Sequence, residues 1–188
     1  MSGAKKSTTT KTIKKILVSQ ARPESEKSPY FELERKHAVA LHFQPLIQLV
    51  PISGKDFRKT KIDISEYTAV IFTSKNAVKS VLKNKNIGYL KDKGCFCVGE
   101  KTKKLLETNG FHVVSHEKDA NTLAETICEK YFQKTFTFFS GSLRKEILPK
   151  KLLDNKIRLE EITTYKTILQ PKRIVLETAA ILFFSPSA

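Results

Sequence analysis

Cysteine is scarce in this chain, and its arrangement excludes two chemistries. Three cysteines do not make a disulfide framework. Cys95 and Cys97 stand two apart in what reads as a strand, on one face and too close to close a normal bridge. His112 and His116 follow nearby, but their spacing fits no standard zinc pattern, so no metal is expected and the thiols read as buried and reduced. No run approaches the roughly 20 apolar residues that span a bilayer. The first fifteen residues lack an apolar signal core and also lack arginine or an amphipathic face. They read as a disordered basic lead-in over 1–15, and the protein as cytoplasmic, without a membrane partner. The glycine signatures GxGxxG and GxxxxGK[ST] are both missing, which argues against a dinucleotide or P-loop site.

Acidic residues are also few. Thirty-four Lys and Arg against 19 Asp and Glu give a net charge of +15, which favours polyanionic partners: nucleic acid, anionic lipid or a highly carboxylated small molecule. Arginine is a small minority of those basic residues, and aromatic residues do not interleave with it. Nucleic acid is therefore the disfavoured partner, although a nucleic-acid-binding α/β protein stays open as an alternative.

What is present is a regular α/β alternation. Tyr67–Val81 holds an apolar run, Ala69-Val70-Ile71-Phe72, ending at Thr73-Ser74-Lys75-Asn76 and continuing at helical spacing. This predicts a buried strand running into a helix capped by Ser74. Before it lie a strand at 16–20, a helix starting near Ser28 with Pro29 in its first turn, a strand at 39–43 and an extended Pro45–Pro51. A short helix is expected over Lys55–Lys59. After the opening strand at 67–73 the expected series is helix 75–84, strand 94–98, helix 100–109, strand 111–115, helix 121–133 capped by Asn121, strand 135–140, helix 142–153 and strand 157–165. Gly110 suits a helix C-terminus. Strands alternating with helices of this length predict parallel sheet covered on both faces, with the loops after the strands on one side. Those loops, 73–76, 98–102, 115–116 and 140–144, are rich in hydroxyls, glycine and cations, as a carboxylate-binding surface requires.

Ala180–Ala188 repeats the Ala69–Ala77 pattern without gaps, which suggests two similar α/β domains. The first is split into 16–44 and 172–188. Segments 45–51 and 165–171 form a two-stranded linker, and 52–164 is an inserted domain.

The ordered motifs resemble the uroporphyrinogen-III synthase family along nearly the whole chain from Ile16. They are Arg22-Pro23, Pro45, Thr73-Ser74-Lys75-Asn76-Ala77-Val78, Val98-Gly99-Glu100-Lys101-Thr102 with Leu105 and Gly110, and Leu123. Ser140-Gly141-Ser142-Leu143-Arg144 with Leu148, Tyr165-Lys166-Thr167 and the closing Phe183–Ala188 complete the series. The resemblance implies two parallel-sheet domains joined by the linker, with the active site in the cleft between them. It also implies a monomer that needs no cofactor and acts on hydroxymethylbilane, a linear tetrapyrrole with eight carboxylates. The reaction removes the terminal hydroxyl as water, inverts ring D through a spiro intermediate and closes the macrocycle. Tyr165 is then the catalytic residue assisting hydroxyl departure. Thr73, Ser74, Asn76, Lys101, Thr102, Ser142 and Ser185 become carboxylate anchors. Arg22 and Arg144 are either further anchors or ion-pair partners. Two departures stand out. Phe184 occupies the place of Thr73 in the second copy, and the family continues beyond the point matched by Ala188. The split domain is therefore expected to be incomplete and marginal and the inserted one well formed, and a non-catalytic truncated remnant is the remaining alternative.

Overall fold

The computed structural model describes residues 13–53, 63–83 and 88–183. Ser185, Phe184 and the helix expected over Lys55–Lys59 lie outside the described residues. The chain divides into two compact units, one of residues 49–167 and one whose described residues are 13–48 and 168–183.

In the 49–167 unit, strands Ala69–Phe72 (β4), Gly94–Val98 (β5), Val113–Glu117 (β6), Phe136–Gly141 (β7) and Leu159–Leu169 (β8) belong to one sheet, together with Ile47–Pro51 (β3). The order is β3-β8-β7-β4-β5-β6. Strands β8, β7, β4, β5 and β6 run parallel. Hydrogen bonds from the Ile52 amide to the Thr164 carbonyl and from the Gln170 amide to the Leu46 carbonyl set β3 antiparallel to β8, since one number rises as the other falls. The chain passes between the units twice, once within β3 and once within β8.

The central strands are apolar almost throughout because both faces are covered. Val70, Phe72, Cys95, Cys97, Phe139 and Ile162 pack on one face. Lys75–Leu82 (α2) and Glu100–Thr108 (α4) cover that face through Ala77, Val78, Val81 and Leu106. Ala69, Ile71, Phe96, Phe136 and Phe138 face the other way, under Ala120–Lys130 (α5) and Ile147–Asp154 (α6) with Leu123, Ile127, Leu148 and Leu152. A short helix, Gly88–Lys91 (α3), adds Leu90 to the first cluster. Cys95 and Cys97 do share one buried face, and burial raises both thiol pKa values, that of Cys97 to about 12.

In the other unit, Lys14–Val18 (β1) lies between Val39–Phe43 (β2) and Ala180–Leu182 (β9), all parallel. Pro29–His37 (α1) packs there, with Phe31 buried and Tyr30 edge-on to Phe43 at 5.5 Å between ring centroids.

Several boundaries differ from expectation. β1 begins at Lys14 because Lys14 and Lys15 pair with Val39 and Ala40, so those two lysines belong to a strand and not to a disordered lead-in. The cap of α5 is Asp119, whose carboxylate accepts from the Thr122 amide at 2.8 Å, while Asn121 sits in the first turn and donates to Glu125. The expected helix 142–153 starts only at Ile147. Residues 142–146 are held away from helical geometry by β8: the Ser142 amide donates to the Tyr165 carbonyl, and the Ser142 hydroxyl accepts from the Thr167 amide. Gly110 does end α4 as expected, at φ +80°, a conformation open to glycine.

Candidate functional site

The sheet order brings most of the expected site residues to one end of the 49–167 unit. Parallel strands share a direction, so the loops after β7, β4 and β5 leave the sheet on the same side. Across that end come Tyr165 on β8, Ser142 after β7, then Thr73, Ser74 and Asn76 after β4, then Lys101 and Thr102 after β5.

Ser74 is built into the site twice. Its backbone is extended and its hydroxyl accepts from the Ala77 amide at 3.1 Å, the N-cap of α2. The same oxygen lies 3.3 Å from the Tyr165 hydroxyl. The cap thus places a serine hydroxyl at the positive end of a helix dipole and against a phenol.

Tyr165 reaches Ser74 by an unusual route. It sits on β8, two strands away from β4, with β7 between. In the register Tyr165 stands opposite Gly141, at a shift between Ser140 and Gly141. A Cβ built on Gly141 would lie 2.3 Å from Tyr165 Cζ and 2.6 Å from both Cε2 and the hydroxyl oxygen. The phenol therefore lies across the bare backbone of β7, and any other residue at 141 would occupy the space of the ring. Below it, Tyr165 packs in the same apolar cluster as Phe72, Val78 and Phe139, and the residue is only 9% exposed.

Arg144 is engaged inside the protein. Its guanidinium meets Glu161 through Nε and through Nη2, the latter at 2.5 Å from Oε2, and also pairs with Glu146. Glu161 accepts in addition from the Ser140 hydroxyl at 2.7 Å. These bonds, the Glu161 contact foremost, raise the Arg144 pKa above its ordinary value. Of its two expected roles Arg144 fills that of ion-pair partner, and it clasps the 142–146 loop onto β8.

The remaining residues are placed as follows. Thr73 is half-buried at the end of β4, and Asn76, Lys101 and Ser142 are exposed. Thr102 is buried, and its amide is used on the Gly99 carbonyl, so it faces the protein interior rather than an open surface. Arg22 belongs to the other unit, where its guanidinium stacks 4.9 Å from the centroid of Phe31. Among the described residues no group of three or more His, Cys, Asp and Glu could hold a metal ion, and no helix is long and apolar enough to cross a membrane. His116 pairs with Glu100 at 3.2 Å. Sequence reading missed Gly141 and Glu161 as contributors. The available signal for Gly141 was a glycine ending the buried strand Phe136–Gly141, where close approach of another group is a standing reason for glycine. Nothing local marks Glu161, because its partner lies on a different strand connection.

Comparison with known proteins agrees with this architecture. Residues 29–188 match the family described as uroporphyrinogen-III synthase HemD. Uroporphyrinogen-III synthase of Saccharomyces cerevisiae is 30% identical over 159 residues, which are 73% of this chain and 58% of the yeast protein. Uroporphyrinogen-III synthetase from Helicobacter pylori superposes with a TM-score of 0.60 at 19% identity, covering 87% of this chain and 65% of that one. A mutant uroporphyrinogen III synthase from the extremely thermophilic bacterium Thermus thermophilus gives a TM-score of 0.61 at 13% identity, over 83% and 63% of the two chains. At such identities the two structures speak for the fold alone: α/β, with two parallel-rich sheets flanked by helices. The chain spans 58% of the length of the yeast relative. It belongs to the uroporphyrinogen-III synthase family.

Proposed function

We propose, with that membership as the premise, that the protein cyclises hydroxymethylbilane to uroporphyrinogen III with inversion of ring D and loss of water. The observation that carries the reading is the pairing of Tyr165 with the capping hydroxyl of Ser74 at the C-terminal end of the sheet. The Ser74 oxygen already accepts from Ala77, so its own proton is free to be donated to the Tyr165 oxygen. The phenolic proton then points outward, toward a leaving hydroxyl. As the C–O bond of the bilane breaks, pyrrole electrons replace it, the phenol proton goes to the departing oxygen and water leaves. The resulting phenolate is stabilised by the Ser74 hydroxyl and the α2 N-terminus. The substituted α-carbon of ring D attacks the methylene so formed and gives the spiro intermediate. The bond from that carbon to its original methylene bridge then breaks, the free α-carbon of ring D attacks the released bridge, and the proton lost from that carbon restores the phenol.

The eight carboxylates of this substrate suit the rest of the strand-end surface. Thr73 and the Ser142 loop offer hydroxyls, Ser74 and Asn76 offer turn amides, and Lys101 and the +15 net charge supply attraction. Thr102 supports its turn from within, and Arg144 fixes the 142–146 loop. Arg22 and Ser185 are proposed as further carboxylate anchors. We also retain the division into 16–44 with 172–188, linker segments 45–51 and 165–171, and an inserted 52–164, acting as a cytoplasmic monomer. Most of the acceleration comes from holding a flexible bilane in one geometry, so single anchor losses should be mild.

A second reading is a family member that folds without catalysing. Incubation with freshly made hydroxymethylbilane, followed by separation of the oxidised type I and type III uroporphyrins, decides between them. Type III product is expected. Type I alone, the spontaneous product, removes the enzymatic reading for this chain.

A further inference from the structure

A tyrosine that must reach across a neighbouring strand depends on what that strand carries beneath it. Tyr165 starts on β8 and ends at Ser74 beyond β4, and β7 lies in between. Strands in a sheet are about 4.8 Å apart, so the side chain must pass low over β7. The three atoms nearest to a Cβ at Gly141 are all at the hydroxyl end of Tyr165, at 2.3–2.6 Å. Real Cβ atoms do not approach that closely, and a ring that is itself buried in the apolar cluster cannot yield as a flexible surface chain would. The main chain beside the crossing is pinned as well. The Ser142 amide donates to the Tyr165 carbonyl at 3.0 Å, the Thr167 amide donates to Ser142 Oγ at 3.0 Å, and the Thr164 hydroxyl donates to the Ser140 carbonyl at 2.9 Å. Backbone and ring are thus fixed against one another, and a methyl group at 141 can be accommodated only by moving the phenol.

We propose that Gly141 is a positioning residue for Tyr165: its bare α-carbon is the track along which the phenol reaches Ser74, and it sets where the phenolic proton is presented. The inference rests on the proposed reaction for its catalytic consequence but not for its structural one. Gly141→Ala should turn the ring off β7, break the contact with Ser74 and lower kcat on the order of a hundredfold, with KM changed far less, because orientation is lost while the carboxylate anchors stay.

The test uses the full chain labelled with 3-fluorotyrosine. It has five tyrosines, and the Tyr165 resonance is identified by its loss in Tyr165→Phe. In Gly141→Ala that resonance is expected to move while the other four hold, and Ser74→Ala should move the same resonance. An unmoved Tyr165 signal overturns the proposal. So does a moved signal with unchanged kcat in a wild type that makes type III product. If the wild type makes only type I product, the proposed reaction fails and the resonance alone decides the role of Gly141. Should Gly141→Ala not fold, the double variant Gly141→Ala/Tyr165→Ala must recover the folding of Tyr165→Ala alone. Failure to recover places the clash elsewhere and also overturns the proposal.

Discussion

The strands Ala69–Phe72 and Ala180–Leu182 come from the two copies of one sequence pattern, and they meet opposite fates. Every residue of the first is buried; every residue of the second is exposed. β4 has β7 on one side and β5 on the other and helices over both faces. β9 pairs with β1 and stands at the edge of its described sheet. Ile181 and Leu182 remain 40% exposed, and the neighbouring Phe183 58%. Two similar apolar tetrads, Ala-Val-Ile-Phe and Ala-Ile-Leu-Phe, thus anchor one unit and decorate the other. Full burial of such a side chain stabilises by about 1.5–3 kcal/mol, so the difference across a strand is several kcal/mol. Apolar sequence supplies the capacity for burial, and the number of flanking elements decides how much of it is used.

The largest effect that can test this contrast is a cavity in the buried unit. Phe139 stacks on Phe72 at 5.1 Å and is fully buried. Phe139→Ala should cost about 3–5 kcal/mol in urea unfolding, against under about 1 kcal/mol for Ile181→Ala. The thiols provide an internal reporter, because Cys95, Cys97 and Cys128 all belong to the 49–167 unit. Cys95 and Cys97, buried and with raised pKa values, should resist an aromatic disulfide reagent at pH 8 until the later of two unfolding transitions. One cooperative transition seen by circular dichroism, with thiol exposure coincident, would break the comparison.

An intermediate effect is expected at the clasp over the 142–146 loop. Among the described residues, Arg144→Ala leaves Glu161 with the Ser140 hydroxyl alone. Because both side chains of the pair keep about a quarter of their exposure, water offsets part of the loss. The cost should be about 1–2 kcal/mol, below the range for a fully buried pair. A decrease confined to the transition reported by the thiols sharpens the contrast between the units; a change in the other transition alone would contradict the assignment of the clasp.

The smallest effect is a pH dependence. The Thr122 amide holds the Asp119 carboxyl below its ordinary value of 3.8. A depressed carboxyl contributes stability that is present above its unfolded pKa and is lost as pH falls through the lower folded value. Asp119→Asn should keep the cap at neutral pH and flatten the decline of the urea midpoint below about pH 4. An identical acid decline in both proteins would remove Asp119 from the account.

Local chemistry explains why so much of the fold is legible in the residues themselves. Alternating apolar runs and helical spacing marked β4, β5 and β7 with the helices after them, and Ser74, Pro29 and Gly110 acted at the ends where their side chains or backbone freedom predict. The misreadings occurred where a distant strand competes with local preference. Residues 142–146 carry no strong helix breaker, yet hydrogen bonds to Tyr165 and Thr167 and the ion pair to Glu161 draw them to β8. Thr102 looked like a surface hydroxyl because the sequence does not record which side of a helix turn the sheet will cover.

The sequence by itself determined the class of elements, their order and the capped strand-to-helix turn at Ser74, since each depends on residues within one or two turns of each other. Only the tertiary structure decided that Tyr165 should meet Ser74 across Gly141. Residues 74, 141 and 165 become neighbours through the strand order β8-β7-β4, which is set by the pairing of distant segments and leaves no trace in local periodicity.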